Sequence, residues 1–115
     1  MSSQQNTYVM LGAKFPYDLF KGKSEEIEPY MDSAFDNIYH NERLCILYDG
    51  LNAEYVIIGK VLAKTRNHAG FEDPIVLDDT SATRLVQGDI KHLLFNKLKL
   101  DTTFEVNLIV VTHYR

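Results

Sequence analysis

The chain of 115 residues contains a single cysteine and no apolar run long enough to cross a membrane. Cys45 therefore forms no disulfide within the chain, and its place in an apolar run predicts a buried side chain in a reducing compartment. The longest apolar stretches, such as Leu108–Val111, fall far short of the roughly 20 residues that span a bilayer. The polar residues 2–6 lack the basic and apolar parts of a secretory signal. We expect a cytoplasmic protein that does not bind membranes.

The sequence also lacks the residue spacings of catalytic, metal and phosphate sites. No histidine or cysteine pair has a zinc-ligand spacing, and the glycines do not form a phosphate-binding loop. Cys45 has no neighbouring histidine or aspartate that would activate a thiolate. We therefore expect a protein that is not an enzyme and holds no metal or cofactor. The histidines are His40, His68, His92 and His113, and the glycines considered are Gly12, Gly50, Gly59, Gly70 and Gly88.

Nucleic-acid binding is not expected either. The formal net charge is −4 at pH 7, and a net negative charge opposes binding to phosphates. Tyr8, Tyr48 and Tyr55 lie in predicted strands, but residues 55–61 lack the paired aromatics and the glycine pattern of sheet-based RNA-binding modules.

Length and composition predict one globular domain over residues 1–115, with residues 1–6 as a flexible tail. A mass of 13.2 kDa is the commonest size of a single domain, and the 45% hydrophobic and 24% charged fractions are typical of globular proteins.

A β-hairpin is the most distinct local pattern. Two runs rich in β-branched and aromatic residues, 43–48 and 54–62, flank the turn Asp49-Gly50-Leu51-Asn52. An Asp-Gly turn between such runs is a strong hairpin signal. The apolar run 8–13 predicts an earlier strand, and residues 103–112, which alternate and then become continuously apolar, predict an interior strand at the end.

Two segments have helical periodicity. In the first, Ile27, Met31, Ala34, Phe35 and Ile38 follow spacings of three and four, which predicts a helix from Glu28 to about residue 41 with Pro29 in its first turn. In the second, residues 85–98 keep one face apolar; either Gly88 lies within one helix, or the helix divides there and Asp89 caps the second piece. Pro16 and Gly22 bracket a short helical turn that places Phe20 or Leu19 against the core.

This order of elements predicts an α+β fold of the ferredoxin-like type, βαββαβ, with a four-stranded antiparallel sheet and both helices on one face. The alternative is another α+β sheet with five or six strands, in which residues 74–77 pair at an edge. We expect seven apolar residues of the strongest elements to be buried. They are Leu47, Val56, Ile58, Ile90, Leu94, Leu108 and Val110.

The negative charge is concentrated in one half of the chain. Residues 17–54 carry nine acidic and three basic side chains. Glu28, Asp32 and Asp36 stand four residues apart, so they would share one face of the first helix, and Glu25 lies where a helix dipole favours negative charge. These four acidic residues form either a surface for a basic protein partner or a solvated helix face.

A second candidate site lies around residues 64–79. Loops on rigid sheets often carry binding residues, so this segment is where a small ligand or nucleotide would bind, in a sensor that is a homodimer. The alternative is an exposed loop without a ligand. The residues of this candidate ligand site are Lys60, Lys64, Arg66, His68 and Arg84.

Two segments, residues 8–12 and residues 48–61, resemble the small accessory proteins of tailed bacteriophages. They cover about a sixth of the chain. The resemblance implies a small acidic protein that binds and blocks a host factor or a defence component, and it carries over no catalytic residues.

The predicted sheet also bears on assembly. Helices on one face leave the other face and two edges open, and the strands hold more apolar residues than a one-sided sheet requires. We therefore expect a homodimer that forms through the sheet. The functional prediction is a non-enzymatic inhibitor or binding protein that acts through the acidic helix or a sheet edge.

Overall fold

A computed structural model of the chain describes residues 5–31, 44–49, 52–65 and 83–114. Its elements, in chain order, are strand β1 (Gln5–Pro16), a 3-10 turn (Tyr17–Phe20), helix α1 (Ser24–Ile27), a second 3-10 turn (Glu28–Tyr30), strands β2 (Cys45–Tyr48) and β3 (Tyr55–Lys64), helix α2 (Thr83–His92), a π-helical turn (Leu93–Lys97) and strand β4 (Asn107–Tyr114).

The fold is α+β, as the sequence predicts, and the four strands of the described ranges form one antiparallel sheet. The order across the sheet is β2-β3-β1-β4, so β1 and β3 are central and β2 and β4 are the edges. β1 is longer than predicted, because Gln5 and Asn6 pair with Tyr114 and His113 rather than belonging to a flexible tail. Residues 1–4 of that predicted tail lie outside the described part.

The predicted hairpin is confirmed, with Cys45 opposite Gly59 and Tyr48 opposite Val56. The Asp49 side chain organises its loop: the backbone N–H of Asn52 donates to Oδ1 at 3.1 Å, and that of Glu54 donates to Oδ2 at 3.0 Å. This role explains why a carboxylate is buried at the end of β2.

One face of the sheet carries the helices. Leu11, Ala13 and Phe15 of β1 pack with apolar side chains of α2 and of the turns that follow β1. Phe20 is buried in this layer, as predicted, with its ring edge-on to Phe15 at a centroid distance of 5.7 Å. Phe104, in the segment that precedes β4, contacts the same Phe15 ring. The helical members of this layer are Ile27, Val86, Ile90, Leu93, Leu94 and Leu98.

The opposite face of the sheet is buried as well, although the sequence predicts an open face. Six of its side chains form a second apolar cluster, and none of the six belongs to a described helix. Cys45 is among them and is fully buried, which confirms that it acts as a small apolar side chain. The members are Tyr8, Met10, Cys45, Leu47, Ile57 and Val61, with Tyr55, Ile109 and Val111 packed against them.

Register and hydrogen bonding show that the sheet bends toward this second face. Tyr55 pairs with Pro16 at one end of β1, and His113 pairs with Asn6 at the other end. In a straight strand these positions would lie about 33 Å apart. The Tyr55 hydroxyl nevertheless lies 2.9 Å from Nδ1 of His113. The sheet must therefore bend strongly, and we call this second face the concave face.

A pair of glycines lies at the middle of the bend. Gly12 and Gly59 are directly opposite each other in β1 and β3. A Cβ atom on Gly12 would overlap the carbonyl oxygen of Ile58, and one on Gly59 would overlap that of Leu11. Only glycine permits so close an approach of two strands, so these two positions determine how far the concave face closes.

Five of the seven predicted core residues are buried, and two predictions are wrong. Leu108 is 40% exposed and Val110 is 69% exposed. Both lie in β4, which is at the edge of the described sheet rather than in its interior, so among the described strands they have a neighbour on one side only. The confirmed residues are Leu47, Val56, Ile58, Ile90 and Leu94.

The predicted helix from Glu28 to residue 41 is wrong at its start. Residues 28–30 form a 3-10 turn that contains Pro29, and Met31 is extended and forms a parallel bridge with Ile46. Proline is compatible with a first helical turn, so the departure from the helical path is due to Met31, which is held extended by its bridge to Ile46. Residues 32–43 lie outside the described part. The second predicted helix is confirmed as undivided at Gly88, which lies inside α2.

Two glycine substitutions of opposite sign test this architecture. Gly12→Ala should lower the free energy of unfolding by about 1–3 kcal/mol, because the added methyl group forces the backbone of β1 and β3 apart. Gly88→Ala should raise it by about 0.5–1 kcal/mol, because Gly88 is exposed in α2 and a Cβ there meets no atom within 4 Å. Urea denaturation measures both values. A Gly12→Ala protein as stable as the parent would contradict the close approach of the strands.

Candidate functional site

The outer edge of β4 carries two of the four exposed large apolar side chains among the described residues, Leu108 and Val110. β4 pairs with β1 on one side and with no described strand on the other. Its exposed or half-buried positions continue from Leu108 to Thr112, and no charged side chain occurs between Val106 and Thr112. Edge strands usually carry a lysine, a proline or a bulge that prevents pairing with another chain. The stretch 106–112 has no lysine or proline, so its backbone is suited to accept a further strand.

Leu108 and Val110 project from the helix-bearing side of this edge. Leu108 pairs with Leu11 and Val110 pairs with Val9, and both partners in β1 are buried. Ile109 and Val111 pack on the concave face instead. We call the exposed side chains of Leu108 and Val110, together with the outer backbone of residues 107–112, the β4 edge surface. A strand added here would lie beside Leu108 and Val110 on the helix-bearing face and beside Ile109 and Val111 on the concave face.

A buried polar network joins the start of β1 to the end of β3. Nδ2 of Asn6 donates to the carbonyl oxygen of Thr65 at 2.7 Å, and the backbone N–H of Thr7 donates to the Thr65 hydroxyl at 2.8 Å. Asn6 is 2% exposed, and its Oδ1 accepts no hydrogen bond within the described residues. The two bonds fix the register of the strands.

His113 is the second polar group at this end of the sheet. It is 4% exposed, its ring lies edge-on to Tyr8 at 6.1 Å, and it is hydrogen-bonded to the Tyr55 hydroxyl. Nζ of Lys64 lies 5.4 Å from the centre of the Tyr8 ring. These contacts tie three strands together across the concave face, which is a structural role.

Tyr48 and Tyr17 form a hydrogen-bonded pair at the other end of the sheet. The Tyr48 hydroxyl donates to the Tyr17 hydroxyl at 2.7 Å, and the rings lie 4.9 Å apart. This hydrogen bond, partial burial and the negative charge that Tyr17 acquires at high pH raise the pKa of Tyr48 to about 12. A phenol that ionises so late is neither a base nor a nucleophile near neutral pH.

A surface depression of about 390 Å³ lies beyond α2, lined by Phe95, Lys99, Leu100 and Asp101. It is wide open to solvent, and one lysine and one aspartate give it both signs of charge. None of the residues that the sequence singled out lines it.

The structure brings few of the predicted site residues together. Glu25 and Glu28 are exposed in α1 and the following turn, and Met31, directly after that turn, is extended. Asp32 and Asp36 lie outside the described residues.

The candidate ligand site is likewise only partly described. Lys60 pairs with Leu11 of the helix-bearing face and Lys64 with Tyr8 of the concave face, so these two lysines lie on opposite sides of the sheet. Arg84 is exposed on α2. Arg66, His68 and the predicted edge strand 74–77 lie outside the described residues.

Within the described ranges, no three histidine, cysteine, aspartate or glutamate side chains form a group that could hold a metal ion. No described helix is long and apolar enough to cross a membrane. Comparison of the chain with models of protein families, with curated proteins and with solved structures found no match. Geometry alone therefore identifies the β4 edge surface as the candidate functional site. The sequence contains a pattern for this surface, the uncharged run 106–112, but such a run is typical both of an interior strand and of an edge strand that pairs with another chain.

Alkaline titration tests the tyrosine pair. The phenolate absorbance of Tyr48, obtained as the difference between the parent protein and Tyr48→Phe, should appear with a pKa of about 12. In Tyr17→Phe it should move toward the ordinary value of 10.0. Because the folded state raises this pKa, the pair stabilises the fold fully below pH 10, and the contribution is lost as the pH rises toward 12. A Tyr48 that titrates near pH 10 in the parent would contradict the hydrogen bond.

Proposed function

We propose that this protein is a non-enzymatic binding protein that pairs an extended strand of a protein partner with the β4 edge surface. The observation that carries the proposal is an uncharged edge strand whose central side chains, Leu108 and Val110, are exposed. In strand addition the backbone hydrogen bonds supply affinity, and alternate side chains supply specificity. β4 offers both kinds of contact.

The position of β4 supports this role. The other edge of the sheet is β2, which has only four residues, and Met31 already bridges to Ile46 there. β4 has eight residues, and α2 packs mainly over β1 and β3, so the helical layer leaves the outer side of β4 accessible. A strand of six or more residues therefore fits beside β4.

We also propose the ferredoxin-like plan for the whole domain. The strand order β2-β3-β1-β4 with antiparallel neighbours supports it, as does the placement of α2 between β3 and β4. The connection between β1 and β2, where the plan requires the first long helix, includes residues 32–43, which lie outside the described part.

The acidic charge gives the partner a preferred character. Glu25, Glu26 and Glu28 are exposed close together in sequence, and the net charge of the chain is −4. Opposite charges accelerate encounter, and the acceleration weakens as salt increases. A basic cytoplasmic protein fits these three glutamates, which lie outside the β4 edge surface, and this agrees with the class of phage accessory proteins that block a host factor.

A charge placed on the edge tests the proposal. Val110→Lys should reduce the amount of partner protein that the immobilised chain retains at least tenfold. The lysine ammonium group would lose its hydration in the strand-pairing surface without gaining a carboxylate to pair with. Leu85→Lys is the matched control, since Leu85 is 73% exposed on α2, away from the edge. The measurement is quantitative capture on the immobilised protein, with circular dichroism as the check of folding. Equal capture by the parent and both variants would exclude the β4 edge surface.

A further inference from the structure

We infer that the strand which the β4 edge surface binds is β4 of a second copy of this chain, paired antiparallel about a two-fold axis at Ile109. The inference rests on the proposed function, since it names the occupant of the same surface. Four observations lead to it: the charge pattern of β4, the register of its exposed side chains, the place of the helical layer and the state of the other edge.

The charge pattern makes β4 compatible with itself. In a two-fold antiparallel pair a residue on the axis lies opposite its own copy, so a charge there would meet a like charge. Residues 106–112 contain no charged side chain. Two copies can therefore approach along this stretch without repulsion at the seam, even though each chain carries a net charge of −4.

The register follows from the two exposed apolar side chains. An axis perpendicular to the sheet keeps each face continuous, so opposite residues must come from the same face, and the axis must pass through a residue position. With the axis at Ile109, Leu108 lies opposite Val110 of the partner subunit. The second contact by symmetry is Val110 with the partner subunit's Leu108. The two exposed apolar side chains of each β4 strand are then covered by those of its partner.

The helical layer leaves room for this arrangement. Because α2 packs mainly over β1 and β3, a second sheet beside β4 meets no described helix on the way. The two helical layers then lie on the same side of one continuous eight-stranded sheet. At its two outer edges lie the copies of β2, where Met31 bridges Ile46. Pairing through β4 thus covers the longer open edge of each copy.

Light scattering coupled to size-exclusion chromatography tests the occupant. At tens of micromolar the parent should elute at twice 13.2 kDa and dissociate on dilution. Val110→Lys should elute as a monomer, whereas Leu85→Lys, with an equally exposed site on α2, should remain a dimer. A parent that is monomeric at every concentration, or a dimer that survives Val110→Lys, would overturn the inference.

Cysteine pairs test the register. Ile109→Cys lies on the axis, where opposite Cα atoms are close enough for a disulfide, so mild oxidation should give a covalent dimer. Thr112→Cys is the control, because its two copies would lie about 20 Å apart. Native Cys45 is buried and common to both variants. Cross-linking of Thr112→Cys but not of Ile109→Cys would refute the register.

The two proposals fail separately. If the parent is monomeric while Val110→Lys still abolishes capture of another protein, the self-pairing inference is wrong and the proposed function stands. If the parent is monomeric and Val110→Lys leaves capture unchanged, both are wrong.

Discussion

The opposition of Gly12 and Gly59 at the middle of the sheet is the constraint on which the rest of the structure depends. With no Cβ on either residue, the backbones of β1 and β3 come closer than two side chains would allow. The sheet can then bend until Tyr55 reaches His113, although these residues pair with opposite ends of β1. The bend lets a small sheet enclose apolar side chains on the face that carries no described helix.

This bend determines which surface is left for binding. A flat sheet with helices on one face would expose its other face, as the sequence suggested. Here the concave face holds Met10, Leu47 and Ile57 in a buried cluster, so the additional apolar side chains of the strands are buried inside the molecule. Among the described strands β4 pairs with β1 alone, and its Leu108 and Val110 side chains are exposed to solvent. The proposed function and the proposed dimer both use this remaining edge.

Local sequence patterns predicted the local structure well. The β2–β3 hairpin, the buried Phe20 and the helical period around Ile90 depend on neighbours within a few residues, and all three predictions are confirmed. The burial of Leu108 and Val110 was predicted wrongly, because a continuous apolar run does not reveal whether a strand has one neighbour or two. The predicted helix through Met31 is wrong because of a contact that is distant in sequence. The apolar residues have helical spacing, but a bridge to Ile46 holds Met31 in an extended conformation.

The site was harder to predict than the fold. The glycine pair and the contact of His113 with Tyr55 join residues 47 and 58 positions apart in the chain, so no short motif announces them. The predicted acidic residues and the basic residues near 64–79 remain predictions, because Asp32, Asp36, Arg66 and His68 lie outside the described ranges. What the sequence did contain was the uncharged run 106–112, whose meaning depends on the strand order.

Residue-resolved amide hydrogen exchange in β4, measured from dilute to concentrated protein, tests the central claim most directly. The claim is that the outer backbone of β4 is open and is where the protein binds. In dilute solution only alternate amides of residues 107–112, those bonded to β1, should be protected. The intervening amides should gain protection as the concentration rises, while those of β1 stay unchanged. Uniform protection of β4 at every concentration would contradict the open edge, and intervening amides that never become protected would contradict the pairing of two copies through it.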